Sequence, residues 1–461
     1  MATVTVRDLD TTALAERVRG ELIGPSDAGY EEARGLYNSM IDKHPALIVR
    51  CVDVADVMAA VDFARDNGTP LAVRGGAHNP AGFAGVDDGV VVDLTRMKGI
   101  RVDPEARLAT VEGGCTWGDV DHATHAFGLA TVGGVVSTTG MGLALGGGIG
   151  YLTRKHGLAV DNLVSADVVV ADGSLVTASA DDNEDLFWAV RGGGGNFGVV
   201  TSLTFRLHPV KTVFWGPMLW PLDRAAEIMR AYDGWLASAS QDLSGVFAFL
   251  TVPPGPPFPE ELHNVKMCGI VWCHTGSADE AEQALASARA TGPALDLVHE
   301  APYPMIQSAF DALYPPGQQH YWRADFFDEL SDEAIARHVE HGSNLPTPQA
   351  SMHLYPIDGA AHDVGAGDTA FAYRDSRWAE VIFAVDPDPG KADLLKSWVV
   401  DYWDATHPYS AGGAYINFMM EEGDERVQAS YRGNYERLAE VKKRYDPANL
   451  FRVNQNIRPA G

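Results

Sequence analysis

Glycine placement constrains this chain more than any other feature. Of 48 glycines in 461 residues, 25 fall between positions 71 and 200. Glycine enters left-handed backbone freely and lets another backbone or a ligand come close, so turns and close approaches are concentrated there. Short β-branched runs separate them: Ala46–Val49, Leu71–Val73, Val90–Leu94, Ala109–Val111 and Val164–Ala171. Turn residues such as Asp172-Gly173 bound these runs, which read as strands. Ala55–Asn67 repeats apolar residues at helical spacing and stops at Gly68, a C-cap residue. The pattern predicts an α+β domain over roughly residues 40–211, preceded by a helical lead-in over 1–39.

From Val213 aromatics and prolines rise. The stretch PPGPPFPEE is barred from a helix interior or a central strand. Ala278–Thr291 and Asp332–His341 read as helices, Ser351–Tyr355 and Glu380–Val385 as strands, giving a second domain over 212–411. The tail, 412–461, carries a predicted strand at Ala414–Phe418, a helix at Val427–Arg444 and the closing run YDPANLFRVNQNIRP.

Lys and Arg number 35 against 62 Asp and Glu, a formal charge of -27. Nucleic acid and anionic lipid are bound by neutralising phosphate charge, so neither is an expected partner. The N-terminus lacks the apolar core of a signal peptide, and no run reaches the ~20 apolar residues of a membrane span. A cytoplasmic protein is expected. Cys51, Cys115, Cys268 and Cys273 are too few for a disulfide scaffold, and the CGIVWC spacing reads as two buried thiols in a strand. No metal site is expected.

Three glycine modules carry the chemistry. In Leu71–Gly85 a strand runs into Arg74, Gly75, Gly76, Ala77, His78 and Asn79, a turn whose backbone amides can cradle a pyrophosphate. Ser137–Gly157 (STTGMGLALGGGIGYLTRKHG) is not a Rossmann fingerprint, because no strand directly precedes it and no acidic residue follows at the ribose position. Asp185–Val200 (DLFWAVRGGGGNFGVV) has four consecutive glycines, explained either by a ligand or by tight backbone packing.

Taken in this order, the modules resemble the FAD-linked oxidases of the vanillyl-alcohol oxidase superfamily, in the berberine-bridge-enzyme-like branch. Tyr415-Ile416-Asn417-Phe418 and Asn454-Gln455-Asn456-Ile457 resemble the family's C-terminal signature. The resemblance implies a two-part FAD-binding domain (the PCMH type) and an α/β substrate domain built on an antiparallel sheet covered by helices. It implies FAD contacts from Arg74 through Asn79, from Thr138, Thr139, Gly142, Gly147 and Gly150, from Gly198 and Val200, and from Asn454 and Asn456. It further implies a covalent bond from His78 to the flavin. Some relatives add a second bond from a cysteine, whose place here is taken by Val135 or Val136, so a single attachment is expected.

The chemistry so implied is hydride transfer from a small molecule, an alcohol, an amine or a phenolic compound, with O2 as the usual electron acceptor. Many relatives carry a Tyr at the last position of the Tyr-x-Asn-Tyr motif as proton acceptor; here it is Phe418. Either another base serves, or the substrate needs none. Strand periodicity puts Ser351, His353 and Tyr355 on one face, and Tyr415 with Asn417 on another. Tyr415, Asn417, Tyr355 and His353 are therefore the candidate catalytic residues. A dehydrogenase that excludes O2, with Met141 as a candidate block, and a non-catalytic flavin binder are the alternatives. Most of Trp215, Trp220, Phe247, Phe249, Tyr303, Tyr314 and Trp322 are expected in the core.

Overall fold

A computed structural model describes residues 9–461. In the first sheet, strands Leu47–Arg50 and Leu71–Arg74 flank Val90–Asp93, all parallel. The connecting helix is Val54–Asp66, as the periodicity predicts. Asp53 caps its start by accepting from the Ala55 and Asp56 N–H groups, and it ends before Gly68 at φ +58°. Residues 1–8 of the expected lead-in lie outside the described residues; over 9–39 it is only partly helical. Short helices Thr12–Ala15 and Tyr30–Arg34 flank Glu21–Ile23, which joins the sheet edge antiparallel to Leu47–Arg50. Three N–H groups, of Arg19, Gly20 and Val52, converge on the buried Asp56 carboxylate and hold that edge.

The second sheet is antiparallel, ordered Ile100–Asp103, Leu108–Glu112, Val199–Arg206, Leu163–Val169, Leu175–Ser179. Its central strand, Val199–Arg206, begins just beyond the four-glycine run Gly192–Gly195.

The third sheet is also antiparallel. It runs Leu295–Asp296, Thr212–Pro221, Lys266–His274, Leu243–Thr251, Ser351–Pro356, Trp378–Asp386, Gln319–Phe327, with His299–Pro302 also paired to Thr212–Pro221. Helices including Ala225–Ser238, Asp332–Gly342 and Ala392–Thr406 cover one face, burying Trp220, Phe247, Phe249 and Trp378. Cys268 packs into this layer and Cys273 on the opposite face, so the two thiols are split by strand alternation. The protein is thus an α+β molecule with antiparallel sheets. Among the described residues no helix is long and apolar enough to cross a membrane.

Two predicted elements of the tail differ. Val427–Arg444 is broken into Asp424–Tyr431 and Tyr435–Tyr445 at Arg432, whose φ is +46°. Its guanidinium lies 3.7 Å from the Tyr373 ring centroid and pairs with Asp375, contacts that a continuous helix would not deliver. Ala414–Phe418 is no strand; Ile416–Phe418 forms a 3-10 turn.

Candidate active site

The uncovered face of the third sheet and the glycine loops of the first two enclose a cavity of about 640 Å³. Among the described residues, no Asp, Glu, Lys or Arg side chain lines it. A charged ligand group would find no side-chain counter-charge there and would have to be met by backbone amides.

His78 stands on its wall. Ala77 takes a left-handed φ of +55°, which turns the chain and presents the imidazole. Nε2 lies 2.9 Å from the Thr138 hydroxyl, and the ring stacks on Tyr37 at 4.0 Å. Desolvation pulls the His78 pKa down to about 4, so the ring is neutral. The backbone N–H groups of Gly76, Ala77 and His78 have no acceptor among the described residues.

The glycines divide into two kinds. A Cβ on Gly76 would lie 2.5 Å from the Gly140 nitrogen, and one on Gly150 2.3 Å from the Gly133 oxygen; these are backbone crossings. Gly147 faces the Phe371 and Tyr415 rings. Gly142 and Gly195, by contrast, line the cavity, and a methyl group on either would meet nothing within 4 Å. Orphan amides, open glycines and the unpartnered buried Oδ1 of Asn454 together fit an FAD whose phosphates are held by backbone rather than by cationic side chains.

Of the residues expected to touch the cofactor, Gly75, Gly76, Ala77, His78, Asn79, Thr139, Gly142, Gly198, Val200 and Asn454 line the cavity. Gly147 and Gly150 do not; they pack loop against loop. Arg74 does not either, because its guanidinium donates to the carbonyls of Ala33, Arg34 and Ala84 and ties the lead-in to the loop. Thr138 acts through His78, and Asn456 lies outside the lining.

The four candidate catalytic residues all line the cavity. The Tyr415 oxygen accepts from the Gly148 N–H at 2.8 Å and from Asn417 Nδ2 at 2.6 Å. Burial still pushes its pKa up to about 12, so the phenol keeps its proton. Phe418 packs against Tyr415, Tyr355 and Trp322, with centroids 4.8, 5.6 and 5.9 Å away. On strand Ser351–Pro356, His353 Nδ1 lies 3.0 Å from the Tyr355 hydroxyl, and burial holds that imidazole neutral, with its pKa down to about 4. Tyr314 and Trp322 line the cavity rather than the core.

Sequence reasoning misses Tyr37 and Asn38. Tyr37 donates to the Tyr314 carbonyl, and the Asn38 side chain pairs with both backbone groups of His320 at 2.9 and 3.0 Å. The segment thus closes the cavity beside His78. Its partners lie some 280 positions away in the chain, and no local pattern announces them.

A cavity walled by glycine loops on one side and an antiparallel sheet on the other is the architecture of a flavin-dependent oxidoreductase. Residues 45–179 match the family described as FAD binding domain, and residues 414–458 the one described as berberine and berberine like. The chain is 32% identical over 452 residues to the FAD-linked oxidoreductase YgaK of Bacillus subtilis (strain 168), covering 96% of this chain and 98% of that one. It is 32% identical over 468 residues to (R)-6-hydroxynicotine oxidase of Paenarthrobacter nicotinovorans, again covering 96% and 98%. The crystal structure of 6-hydroxy-D-nicotine oxidase from Arthrobacter nicotinovorans superposes with a TM-score of 0.84 at 27% identity, over 96% of this chain and 98% of that one. The chain belongs to the berberine-bridge-enzyme-like FAD-linked oxidoreductases and is an enzyme.

Proposed function

We propose that this enzyme is an oxidase that takes hydride from a neutral, largely apolar small molecule. The observation that carries the reading is the cavity lining, which among the described residues holds no formally charged side chain. An amine would enter as its free base, and likeness to a hydroxynicotine oxidase points the same way. FAD, when bound, supplies the hydride acceptor and returns the electrons to O2 as H2O2.

His78 is the single covalent attachment point. With Nε2–H donating to Thr138, the Nδ1 lone pair of the neutral ring is free to act as nucleophile. Among the described residues no cysteine lines the cavity, and Val135 or Val136, both in its wall, takes the place of the cysteine that makes a second attachment in some relatives. The Gly76, Ala77 and His78 amides hold phosphate, and the Tyr415–Asn417 pair fixes the floor of the reacting end.

The test is direct. The purified protein should be yellow after acid precipitation, and neutral aromatic amines, phenols or alcohols should bleach it anaerobically and release H2O2 in air. Flavin freed by acid would end the tether, and bleaching by charged substrates alone would end the substrate reading. Met141, buried in the cavity wall, favours a second reading as a dehydrogenase. Photoreduced enzyme that stays reduced in air would establish that one.

A further inference from the structure

The mouth of the cavity is marked by residues that both line it and reach solvent. Pro254, Asn264, Ala312 and Pro348 do both. Pro254 and Asn264 sit on a hairpin whose ladder continues past its strands. There the Val252 N–H bonds to the Val265 carbonyl and the Asn264 N–H to the Val252 carbonyl, each at 2.9 Å. Ala312 sits on a different kind of segment. Residues 308–317 join helix Tyr303–Gln307 to strand Gln319–Phe327. Phe310, Leu313 and Tyr314 line the cavity from it as well, while Pro315, Pro316 and Gly317 face solvent.

Side chains hold this segment in place. Among the described residues, no backbone group from Phe310 to Pro316 bonds to the backbone of another segment. Instead the Asp311 carboxylate accepts twice from Ser137, on one oxygen from the N–H at 3.0 Å and on the other from the hydroxyl at 2.5 Å. Gln349 Nε2 donates to the Leu313 carbonyl at 2.6 Å, and the Tyr37 hydroxyl to the Tyr314 carbonyl. Ser137 immediately precedes Thr138, the partner of His78, so Asp311 fastens a substrate-domain segment onto a flavin-side module. At the far end Gly317 takes a φ of +86°, with open space where a Cβ would stand. A short segment with one side in the cavity, one in water and a glycine at its end is built as a hinged cover.

We infer that residues 308–317 are a lid over the mouth, latched shut by Asp311 on Ser137, and that ring-sized molecules reach the flavin when the latch parts. Opening separates Phe310 from Trp215 and Tyr314 from Phe383, edge-to-face contacts at 5.8 and 5.6 Å, so the closed form is favoured at rest. The lid serves an oxidase and a dehydrogenase alike.

The test uses the flavin-loaded enzyme, photoreduced without air and mixed by stopped flow with menadione. This neutral fused-ring quinone takes two electrons, with their protons, from reduced flavin, and the return of flavin absorbance reports its access. In Asp311→Asn the amide keeps one acceptor and turns a donor toward Ser137. The closed lid loses one charge-assisted bond, and reoxidation by menadione should quicken about ten-fold. Gly317→Ala leaves the latch untouched but forces a left-handed alanine on the closed lid, so it should quicken reoxidation by about the same factor. Amide hydrogen exchange over 308–317 should rise in both variants while strand Gln319–Phe327 keeps its protection. Wild-type menadione rates in either variant would overturn the lid; paired with faster exchange, they would mean a mobile loop that gates nothing. An enzyme that stays reduced in air yet is reoxidised by menadione would refute the oxidase reading and leave the lid standing.

Discussion

The His78 imidazole and the Thr138 hydroxyl meet at 2.9 Å, joining the first glycine module to the second. That bond selects which imidazole nitrogen is left as nucleophile, so the two residues should act together in flavin attachment. His78→Ala should bind flavin without a covalent bond. Thr138→Val should attach it slowly, leaving a mixed population. Flavin fluorescence on denaturing gels, followed over hours after adding FAD to cofactor-free protein, reads both.

The glycines give a sharper discrimination. Gly76→Ala would put a methyl 2.5 Å from the Gly140 nitrogen, a backbone atom that cannot swing aside. We expect a loss of about 2–3 kcal/mol, at the upper end of overpacking costs. Gly142→Ala meets only open space, so the cofactor-free protein should keep its stability to within about 0.5 kcal/mol. Its flavin content should nonetheless fall, because that space is where the cofactor is proposed to lie. Thermal unfolding of the cofactor-free variants and flavin-to-protein ratios separate the two effects.

That contrast also shows what is legible in the sequence. The glycine modules are visible because turn chemistry is local, and strands such as Ser351–Pro356 because polar and apolar residue types alternate along them. Which glycine is a crossing and which is open depends on a second loop far along the chain, so Gly147 and Gly150 are expected at the cofactor and are found between loops. Arg74 departs from expectation for a related reason: its acceptors are carbonyls of the lead-in, which have no sequence signature. The sequence pairs Tyr415 with Asn417 through the wrong element. In the 3-10 turn their contact is a 2.6 Å hydrogen bond, not strand alternation. Tyr37 and Asn38 carry no motif at all.

Lys442 joins the tail to the third module. Its ammonium is fully buried and donates to the Asn196 carbonyl, the Asp446 carboxylate and the Phe451 carbonyl at 2.6, 2.6 and 2.8 Å. Desolvation lowers its pKa, and Asp446 works against that. Lys442→Met fills the volume but leaves a buried carboxylate without its counter-ion. Such losses cost about 3–5 kcal/mol, which a denaturant titration would show as a lower midpoint at unchanged slope. Asn196 lines the cavity, so flavin affinity should weaken too.

Stability should also fall in mild acid, and His338 is the cleanest place to see it. The ring is fully buried, 3.3 Å from Glu380 and 3.2 Å from the Tyr402 hydroxyl, and desolvation drives its pKa down to about 3. Unfolded, it would titrate near ~6.5. Between those values the unfolded chain binds a proton that the folded one refuses, so acid favours unfolding and the contribution is lost as pH falls below about 6.5. Glu380, whose pKa burial raises, has the opposite dependence, but it is common to wild type and variant. His338→Gln removes only the histidine's share. At pH 5 the wild type should therefore have lost about 2 kcal/mol more than the variant, relative to pH 7. Denaturant midpoints at the two pH values measure this difference, and equal losses in both proteins would mean that His338 is protonated in the folded state.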